Sequence, residues 1–378
     1  MEELHPGKAG GMTTYSGRVG LIQRVLPGYR ASFFEMLAMQ CQGGLSVFAG
    51  QPRPREAIEA SKELQKAKYH PARNVHLFGG PFYFCWQRGL LKWLQAWEPQ
   101  VLVVEANPRY LSTPRAVRWM KERGRPVIGW GLGAPPLRGG LAGLRRARRR
   151  RFLSQFDALI AYSERGRAEY QALGLPAGRI YVAPNAVAPR PQGDAPQRPA
   201  TFAGQAAVLY VGRLQARKRI DSLLRAVAGL PMDLQPRLQI VGEGPARPEL
   251  ARLAAQIYPA TGFSGAQYGS ALDALFAAAD LFVLPGTGGL AVQQAMAHGL
   301  PIIVAEGDGS QEDTVSPANG WVLPPDDEAA LAAALAEALS DPARLRQMGA
   351  ASFRLARERF NLESMVERFV SALNEVTR

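Results

Sequence analysis

A glycine-rich turn between a short apolar strand and a helix is the part of the sequence best suited to chemistry. Leu281–Leu284 is a continuous apolar run, as expected of a strand buried on both faces. The next five residues, PGTGG, break this run, and their three glycines let the backbone come close to a ligand. A helix that starts after such a turn presents N–H groups and a positive dipole end, which suits a phosphate. A plain strand-to-helix corner is the alternative, and the turn alone favours that alternative.

Polar and charged residues also follow two predicted strands in the first half of the chain. Glu105 ends an apolar run at 101–104, and Tyr29 and Arg30 lie in the turn after a strand at 19–26. Ligands of open α/β sheets bind at the carboxyl ends of the strands. These three residues are therefore candidates for a binding cleft, with a strand-end polar residue or a helix cap as the structural alternative.

Length and charge limit the classes of protein that need consideration. The chain has 378 residues, which favours two domains, and 47% hydrophobic residues, which is ample for large cores. Forty-five basic residues against 32 acidic ones give a net charge of +13. Such a balance attracts anions, which include nucleic acid, phosphorylated metabolites and an acidic bilayer surface, and it does not choose among them.

Other features exclude several classes of site and segment. The two cysteines, Cys41 and Cys85, form neither a metal-ligand spacing nor a disulfide framework, which fits a reducing cytosol. The N-terminal residues lack the apolar region of a signal peptide, and no run approaches the roughly 20 apolar residues of a membrane helix. We therefore expect a cytoplasmic protein without a metal site.

Strands and helices alternate along the chain, and this order predicts parallel, doubly wound sheets. The predicted strands are 19–26, 45–48, 75–78, 101–104, 127–130, 158–161, 180–183, 208–211, 238–241, 281–284 and 302–304. The predicted helices are 31–40, 56–68, 114–123, 163–173, 220–228, 249–256, 272–279, 290–298, 327–339, 341–360 and 361–377. Proline, glycine and polar residues from 188 onward indicate a linker. The predicted domains are a Rossmann-like domain at 1–188, a linker at 189–205, a second Rossmann-like domain at 206–356 and a final helix at 357–378.

Two further stretches have open interpretations. In the aromatic-rich segment 81–97, Trp86, Leu90, Trp93, Leu94 and Trp97 fall at helical spacing. This pattern indicates either a membrane-facing helix or core packing, and core packing is favoured. The run Arg145–Arg151 indicates contact with anionic lipid head groups, or only a solvated helix face. Nucleic-acid binding has no supporting fold motif, so we expect no nucleic-acid partner.

The motifs of the second half resemble one known family. They are VGRL at 211–214 with Lys218 beyond it, Asn185 in VAPNAV, VGEGP at 241–245, Ala279-Asp280, and AMAHGLP at 295–301. Together, and in this order, they resemble the retaining GT-B-fold glycosyltransferases of family 4. The resemblance covers about 158 to 378 and is looser at 25–34 and 127–133. It implies two Rossmann-like domains facing across a cleft, with the acceptor on the first domain, a nucleotide sugar on the second, and a final helix that packs back onto the first.

The resemblance also implies roles for individual residues. Arg213 and Lys218 would contact the donor diphosphate and stabilise, without a metal ion, the charge that builds on the leaving phosphate. The other donor-binding residues implied are Gly212, Phe263, Ser264, Gly286, Gly288, Gly289, Leu290 and Gln294. Surface charge is the alternative for the two cations, and the GRL context favours function.

The sequence departs from the family at two positions that usually carry glutamate. Aligned through GLAVQQAMAHG, these positions are Gly286 and Gln294. The Gln294 amide can still hydrogen-bond ribose hydroxyls, through weaker, neutral bonds. Gly286 has no side chain for the sugar, and Glu312, at a family glutamate position in the following loop, is a candidate to compensate.

The leading hypothesis is a glycosyltransferase that moves a sugar from a nucleotide-diphosphate sugar to a glycan or lipid-linked acceptor with retention. In the mechanism implied, the donor phosphate takes the acceptor proton, so no protein base, metal or cofactor is needed beyond the nucleotide-sugar co-substrate. Peripheral attachment to the inner face of the plasma membrane, through Arg145–Arg151, is a further expectation. The alternative, motivated by the two missing carboxylates, is a non-catalytic scaffold that binds a nucleotide or a partner subunit.

Overall fold

The structure is a computed structural model that describes residues 12–53, 56, 60–61, 63–137, 139–307 and 309–378. Its described residues form two compact units: one within 1–162, 166–183 and 363–378, the other within 163–165 and 184–362. Part of the helix expected at 56–68 (57–59 and 62) lies outside the described residues.

The first unit is built on a parallel sheet. Its strands are β1 (Val19–Val25), β2 (Leu45–Gly50), β3 (Lys68–Pro71), β4 (Arg73–Leu77), β5 (Phe84–Arg88), β6 (Val101–Glu105), β7 (Val127–Gly131), β8 (Ala158–Ala161) and β9 (Ile180–Val182). Seven of them form one sheet in the order β3-β2-β1-β6-β7-β8-β9, in which all neighbouring pairs are parallel. The remaining two, β4 and β5, pair as an antiparallel hairpin.

The second unit repeats this architecture. Its strands are β10 (Ala207–Val211), β11 (Arg237–Val241), β12 (Gly262–Phe263), β13 (Leu281–Leu284), β14 (Ile302–Ala305) and β15 (Gly320–Leu323). They form one sheet in the order β12-β11-β10-β13-β14-β15, again with every neighbouring pair parallel. The predicted fold class, α/β with two Rossmann-like doubly wound domains, is confirmed.

Helices connect the strands in both units. They are α1 (Ala31–Gln40), α2 (Leu90–Trp97), α3 (Thr113–Lys121), α4 (Ala142–Leu153), α5 (Glu164–Ala172), α6 (Ile220–Ala228), α7 (Arg247–Ile257), α8 (Gly269–Ala278), α9 (Ala291–Ala297), α10 (Ser310–Thr314), α11 (Glu328–Ser340), α12 (Pro342–Glu358) and α13 (Leu362–Val376). None of the helices in the described ranges is long and apolar enough to cross a membrane. The central strands β6, β13 and β14 contain apolar residues that are buried on both faces, as their continuous apolar runs predict.

The aromatic segment differs from its prediction. The helix begins only at Leu90, after Gly89 with its φ of +86°, while Trp86 lies in β5 and pairs with Val75 of β4. The prediction from helical spacing was wrong here because the aromatic residues of 84–88 favour a strand once a partner strand is available. Core packing is confirmed for Trp93 and Leu94, which are buried.

Besides β5, three further short strands were absent from the sequence prediction. They are β3, β12 and β15, and the first of them begins at Lys68, where a helix was expected to end. None contains an apolar run of four residues, so neither the alternating nor the continuous apolar pattern marks them. All three are edge strands, where pairing with one neighbour decides the structure.

The last helix, α13, packs its apolar side into the core of the first unit. The Phe369 ring is fully buried, with its centroid 4.9 Å from that of Phe33 and 5.0 Å from that of Trp130. Such edge-to-face aromatic contacts add to the free energy gained by burying the rings. A single ring from the C-terminal helix therefore joins α1 and β7.

We expect Phe369→Ala to lower the free energy of unfolding by about 3–5 kcal/mol, because it leaves a cavity among large rings. Urea unfolding followed by tryptophan fluorescence measures this change. The matched control is Arg368→Ala at the exposed neighbouring position, with an expected change within about 0.5 kcal/mol. Equal stability of the two variants would contradict the packing described for α13.

Candidate functional site

Each sheet has a point where its strand order reverses, and the candidate residues lie at these two points. The first sheet reverses between β1 and β6, and the second between β10 and β13. At such a point the connections leave in opposite directions and open a crevice at the carboxyl ends of the strands. Arg30 follows β1, Glu105 ends β6, Arg213 follows β10, and the turn 285–289 follows β13.

In the second unit, the loop that carries Arg213 packs directly on backbone atoms. A Cβ atom at Gly242, whose φ is +139°, would lie 1.9 Å from the carbonyl oxygen of Gly212. A Cβ atom at Gly244 would lie 2.2 Å from the carbonyl oxygen of Leu214. Both glycines are therefore required, and this contact explains why the motifs GRL and VGEGP occur together: the second supports the first.

The basic segment after this loop binds the glycine turn. Lys218 is 5% exposed, and its Nζ donates hydrogen bonds to the carbonyl oxygens of Thr287, at 2.8 Å, and Gly288. Arg217 donates from Nη1 to the Thr287 carbonyl at 3.2 Å, and the Thr287 N–H donates back to the Arg217 carbonyl at 3.3 Å. Lys218 thus orders the turn and places its positive charge beside it.

Gly286 shows why one of the expected glutamates has no counterpart. A Cβ atom at this position would lie 2.4 Å from the carbonyl oxygen of Arg217 and 2.5 Å from the Cα of Lys218. These are backbone atoms, which cannot rotate away as a flexible side chain can. The segment 217–218 therefore occupies the space that a side chain at 286 needs.

Two neighbouring glutamines of α9 have different environments. Gln293 is buried, and its Nε2 donates to the carbonyl oxygen of Asn185 at 2.5 Å. Gln294 is half-buried, and its side-chain amide has no hydrogen-bond partner among the residues that the structure describes. The predicted ribose-binding residue therefore has an amide available to a ligand, whereas Gln293 links the VAPNAV motif to the helix.

Phe263 and Ser264 lie at the end of β12, near the GRL and VGEGP loops. Phe263 is half-buried, and Ser264 Oγ accepts a hydrogen bond from Gln239 Nε2 at 2.5 Å. The following residue, Gly265, accepts the N–H of Gly242 at 2.7 Å. The segment that contains these two predicted donor-binding residues is thus hydrogen-bonded to the loop that supports Arg213.

Glu312 is already engaged in an ion pair. Its Oε1 lies 3.1 Å from Arg165 Nη1, and its side chain is 29% exposed. Its role in place of the missing carboxylate at Gly286 stays a prediction.

His298 stacks on Phe276, with ring centroids 5.1 Å apart, and its Nδ1 lies 2.8 Å from the Gln294 carbonyl oxygen. These contacts fit a structural histidine.

In the first unit, Arg30 and Glu105 lie at the same edge of the sheet without pairing to each other. Glu105 accepts the backbone N–H of Arg24 at 2.5 Å. Burial raises the pKa of the Glu105 carboxyl, against the lowering effect of that N–H and of the two arginines. The Arg30 guanidinium lies 4.3 Å from the centre of the Trp130 ring and donates to the Tyr162 hydroxyl at 3.1 Å.

Several residues of these sites were not predicted from the sequence. Trp130 and Tyr162 lie at the carboxyl ends of β7 and β8, so their strand-end positions could have identified them. Thr287 and Gln293 carry no such signal, because their contacts join segments that are about 70 and 108 residues apart in the chain. Among the described residues, no cluster of three or more His, Cys, Asp or Glu side chains could hold a metal ion.

We expect Gly286→Ala to destabilise the protein by about 1–3 kcal/mol, because the new Cβ displaces the 217–218 backbone. Gly286→Glu should fail to restore a sugar-binding carboxylate and should destabilise at least as much. Thermal unfolding measures both changes. Gly178→Ala is the control, because nothing lies within 4 Å of a Cβ there. A Gly286→Ala variant as stable as the control would show that the turn has room for a side chain.

Comparisons with known proteins agree with this architecture. The family described as Glycosyl transferases group 1 matches residues 192–354, and the Glycosyl transferase 4-like domain matches residues 33–186. A similar protein of Corynebacterium glutamicum, a GDP-mannose-dependent monoacylated alpha-(1-6)-phosphatidylinositol monomannoside mannosyltransferase, is 35% identical over 181 residues, 44% of this chain and 46% of that protein. The chain therefore aligns with less than half the length of this curated relative.

Solved structures show the same fold over almost the whole chain. The sucrose-phosphate synthase of Thermosynechococcus elongatus is 21% identical with a TM-score of 0.70, covering 95% of this chain and 98% of the other. Alr3699/HepE of Anabaena, in complex with UDP, is 16% identical with a TM-score of 0.70, covering 95% of this chain and 99% of the other. Together the two family matches span most of both units, and the chain belongs to the GT-B-fold glycosyltransferases of family 4.

Proposed function

We propose that the protein transfers a sugar from a nucleotide-diphosphate sugar to a glycan or lipid-linked acceptor. The observation that carries this proposal is the arrangement at the reversal point of the second sheet. There the Arg213 loop lies on Gly242 and Gly244, and Lys218 orders the glycine turn after β13. A cation on the supported loop, a second cation beside the turn and backbone N–H groups next to glycines suit a diphosphate.

The proposed chemistry uses these groups to stabilise the leaving group. When the bond between the sugar C1 and the phosphate oxygen breaks, negative charge builds on the departing diphosphate. Arg213 and the ordered turn stabilise that charge with little reorganisation of the backbone, because packing already fixes the loop 212–214 and the turn. The acceptor oxygen bonds to C1 on the same face, and its proton passes to the departing phosphate. The transfer thus proceeds with retention, and the protein cations take the part of a metal ion.

Gln294 is proposed to hold the ribose in place of the usual glutamate. Its amide can both donate to and accept from hydroxyl groups, and it has no other hydrogen-bond partner in the described part of the chain. Neutral hydrogen bonds are weaker than those of a carboxylate. We therefore expect donor affinity to depend mainly on the diphosphate contacts.

The donor base is proposed from the relatives. The curated relative of Corynebacterium glutamicum is described as GDP-mannose-dependent, and the Anabaena structure contains UDP. Because the first of these is 35% identical over 181 residues, whereas the second is 16% identical over 95% of this chain, GDP-mannose is the first donor to test. UDP-sugars form the second group.

We further propose that α4 brings the protein to an anionic membrane surface on the cytoplasmic side. This helix contains six arginines and no acidic residue, and its sequence is AGLRRARRRRFL. Leu141 and Leu144, just before and within its first turn, are 66% and 69% exposed. Basic residues with exposed apolar side chains at one end are typical of helices that lie at a lipid interface. Such a location suits a lipid-linked acceptor.

We expect GDP or UDP to raise the melting temperature saturably, since a ligand that binds only the folded state stabilises it. Arg213→Ala should weaken this binding at least tenfold, because a charge-assisted contact to the diphosphate is lost. Arg252→Ala, an exposed arginine of the same unit, is the matched control and should bind as the wild type does. Thermal melting and calorimetry measure both affinities, and release of the nucleotide from the sugar donor reports turnover.

A wild-type protein that binds no nucleotide would contradict the transferase proposal and favour the non-catalytic scaffold. Nucleotide binding without any turnover, with every acceptor class tried, would favour a scaffold that binds a nucleotide. Equal loss in Arg213→Ala and Arg252→Ala would show a general charge effect and no diphosphate site.

Neutralising three exposed arginines of α4, Arg148, Arg150 and Arg151, to glutamine should weaken binding to vesicles with anionic lipids at least tenfold. Each basic residue near such a surface contributes about 1 kcal/mol, and the effect should fall with added salt. Vesicle sedimentation measures it. The matched control neutralises Arg237, Arg247 and Arg252, all exposed in the second unit, and gives the same net charge. Equal loss in both triple variants would contradict a specific role for α4.

A further inference from the structure

The first unit contains a buried arginine that has no acidic partner. Arg30 is 9% exposed, and its Nη2 donates to the Tyr162 hydroxyl at 3.1 Å. Its Nη1 is buried without a hydrogen-bond partner, and in the described ranges the guanidinium forms no ion pair. Arginine remains charged in proteins. The structure therefore places a positive charge without an ion-pair partner in the interior of this unit.

The surroundings of Arg30 do not replace an anion. The guanidinium faces the ring of Trp130 at 4.3 Å and the ring of Tyr162 at 5.5 Å, which supplies favourable cation–π contacts. Such contacts recover only part of the hydration free energy that a buried charge loses. A ring face also gives Nη1 no hydrogen-bond acceptor in the plane of the guanidinium.

The nearby carboxylate does not fill this role either. Glu105 ends β6, next to β1, and its carboxyl interacts with the Arg30 charge through space. Its Oε2 accepts the backbone N–H of Arg24 at 2.5 Å, and no hydrogen bond joins it to Arg30. The Glu105 carboxylate and the Arg30 guanidinium are thus not hydrogen-bonded to each other.

The position of Arg30 is that of a ligand-binding residue. It follows β1, at the point where the strand order of the first sheet reverses, and it directly precedes the ten-residue helix α1. The first N–H groups of a helix and its positive dipole end favour an anion at this place. The buried guanidinium, a hydrogen-bond donor, therefore lies at the crevice of the sheet.

The ring of Tyr29 also lies beside the guanidinium. Its ring is 52% exposed, and its centre lies 5.9 Å from the guanidinium carbon of Arg30. Nη1 itself is out of contact with solvent, and we infer that rotation of the exposed Tyr29 side chain opens the way to it. The hydroxyl of Tyr29 is then a further donor beside the ligand.

We propose that Arg30, together with Tyr29 and Tyr162, binds a phosphate group, and that the acceptor of the reaction carries this phosphate. The planar guanidinium presents two parallel N–H groups, which match two phosphate oxygens. The assignment of this phosphate to the acceptor rests on the proposed function, whereas the anion site itself follows from the buried charge. A phosphorylated polyol or a phospholipid head group has the required chemistry.

The test measures binding of glycerol 3-phosphate, with glycerol as the neutral probe, to the full-length protein by calorimetry at constant ionic strength. We expect saturable binding of the phosphate probe only. Arg30→Met, which keeps an apolar side chain against Trp130, should weaken it at least tenfold. Arg109→Met removes a charge from an exposed residue of the loop that follows β6, and it should stay within twofold of the wild type.

A conservative variant separates binding from folding. Arg30→Lys keeps the charge and loses the planar fork, so we expect intermediate affinity with an unchanged melting temperature in the absence of ligand. If Arg30→Met does not fold, a weaker affinity of Arg30→Lys still supports the proposal, and an unchanged affinity overturns it. Equal binding by the wild type and Arg30→Met also overturns it, as does the absence of phosphate binding by the wild type.

Binding of GDP and UDP to the same variants identifies the source of the phosphate. If Arg30→Met weakens GDP or UDP binding and leaves glycerol 3-phosphate unaffected, the anion belongs to the donor and the acceptor assignment is wrong. The experiment needs no turnover and does not depend on Arg213. A protein that fails as a transferase can therefore still show this site, and the two proposals fail independently.

Discussion

Close contact between backbone atoms at the carboxyl edge of the second sheet is the constraint on which the candidate donor site depends. The carbonyl groups of the loop 212–214 lie against Gly242 and Gly244, and the segment 217–218 lies against Gly286. No Cβ atom fits at any of these three glycines, so the chain segments approach more closely than ordinary residues allow. Hydrogen bonds from Lys218 then join the basic segment to the glycine turn. The loop that carries Arg213 and the glycine turn are therefore fixed relative to each other before any ligand binds.

The same contact explains the departure from the family pattern. A glutamate at position 286 is incompatible with the backbone of 217–218, so the absence of a carboxylate here follows from the packing at this edge. In the proposed function, recognition of the donor then relies on positive charge and backbone N–H groups, and the neutral amide of Gln294 is proposed to bind the ribose. This distribution suits the chemistry proposed, because the charge that develops in the transition state is on the leaving diphosphate and not on the sugar hydroxyls.

In the first unit, the fold and the candidate site share the same aromatic residues. Trp130 faces the guanidinium of Arg30 on one side, and its ring also contacts Phe33 of α1 and Phe369 of α13. The rings are packed in the core, so they hold the arginine side chain in one place. The C-terminal helix, which comes last in the sequence, thus supports the side chain of Arg30, which follows the first strand.

The sequence alone determined the α/β class, the position of nearly every central strand and the family, because apolar runs, glycine turns and short motifs are local properties. Local patterns failed where a partner was needed. Residues 84–88 form a strand because β4 pairs with them, and edge strand β3 exists because β2 is beside it. Only the tertiary structure showed that Lys218 binds the turn carbonyls, that Gly286 has no room for a side chain, and that Arg30 lies over Trp130. Each of these contacts joins segments about 70 to 100 residues apart, and distances of that kind are set by the packing of the whole sheet.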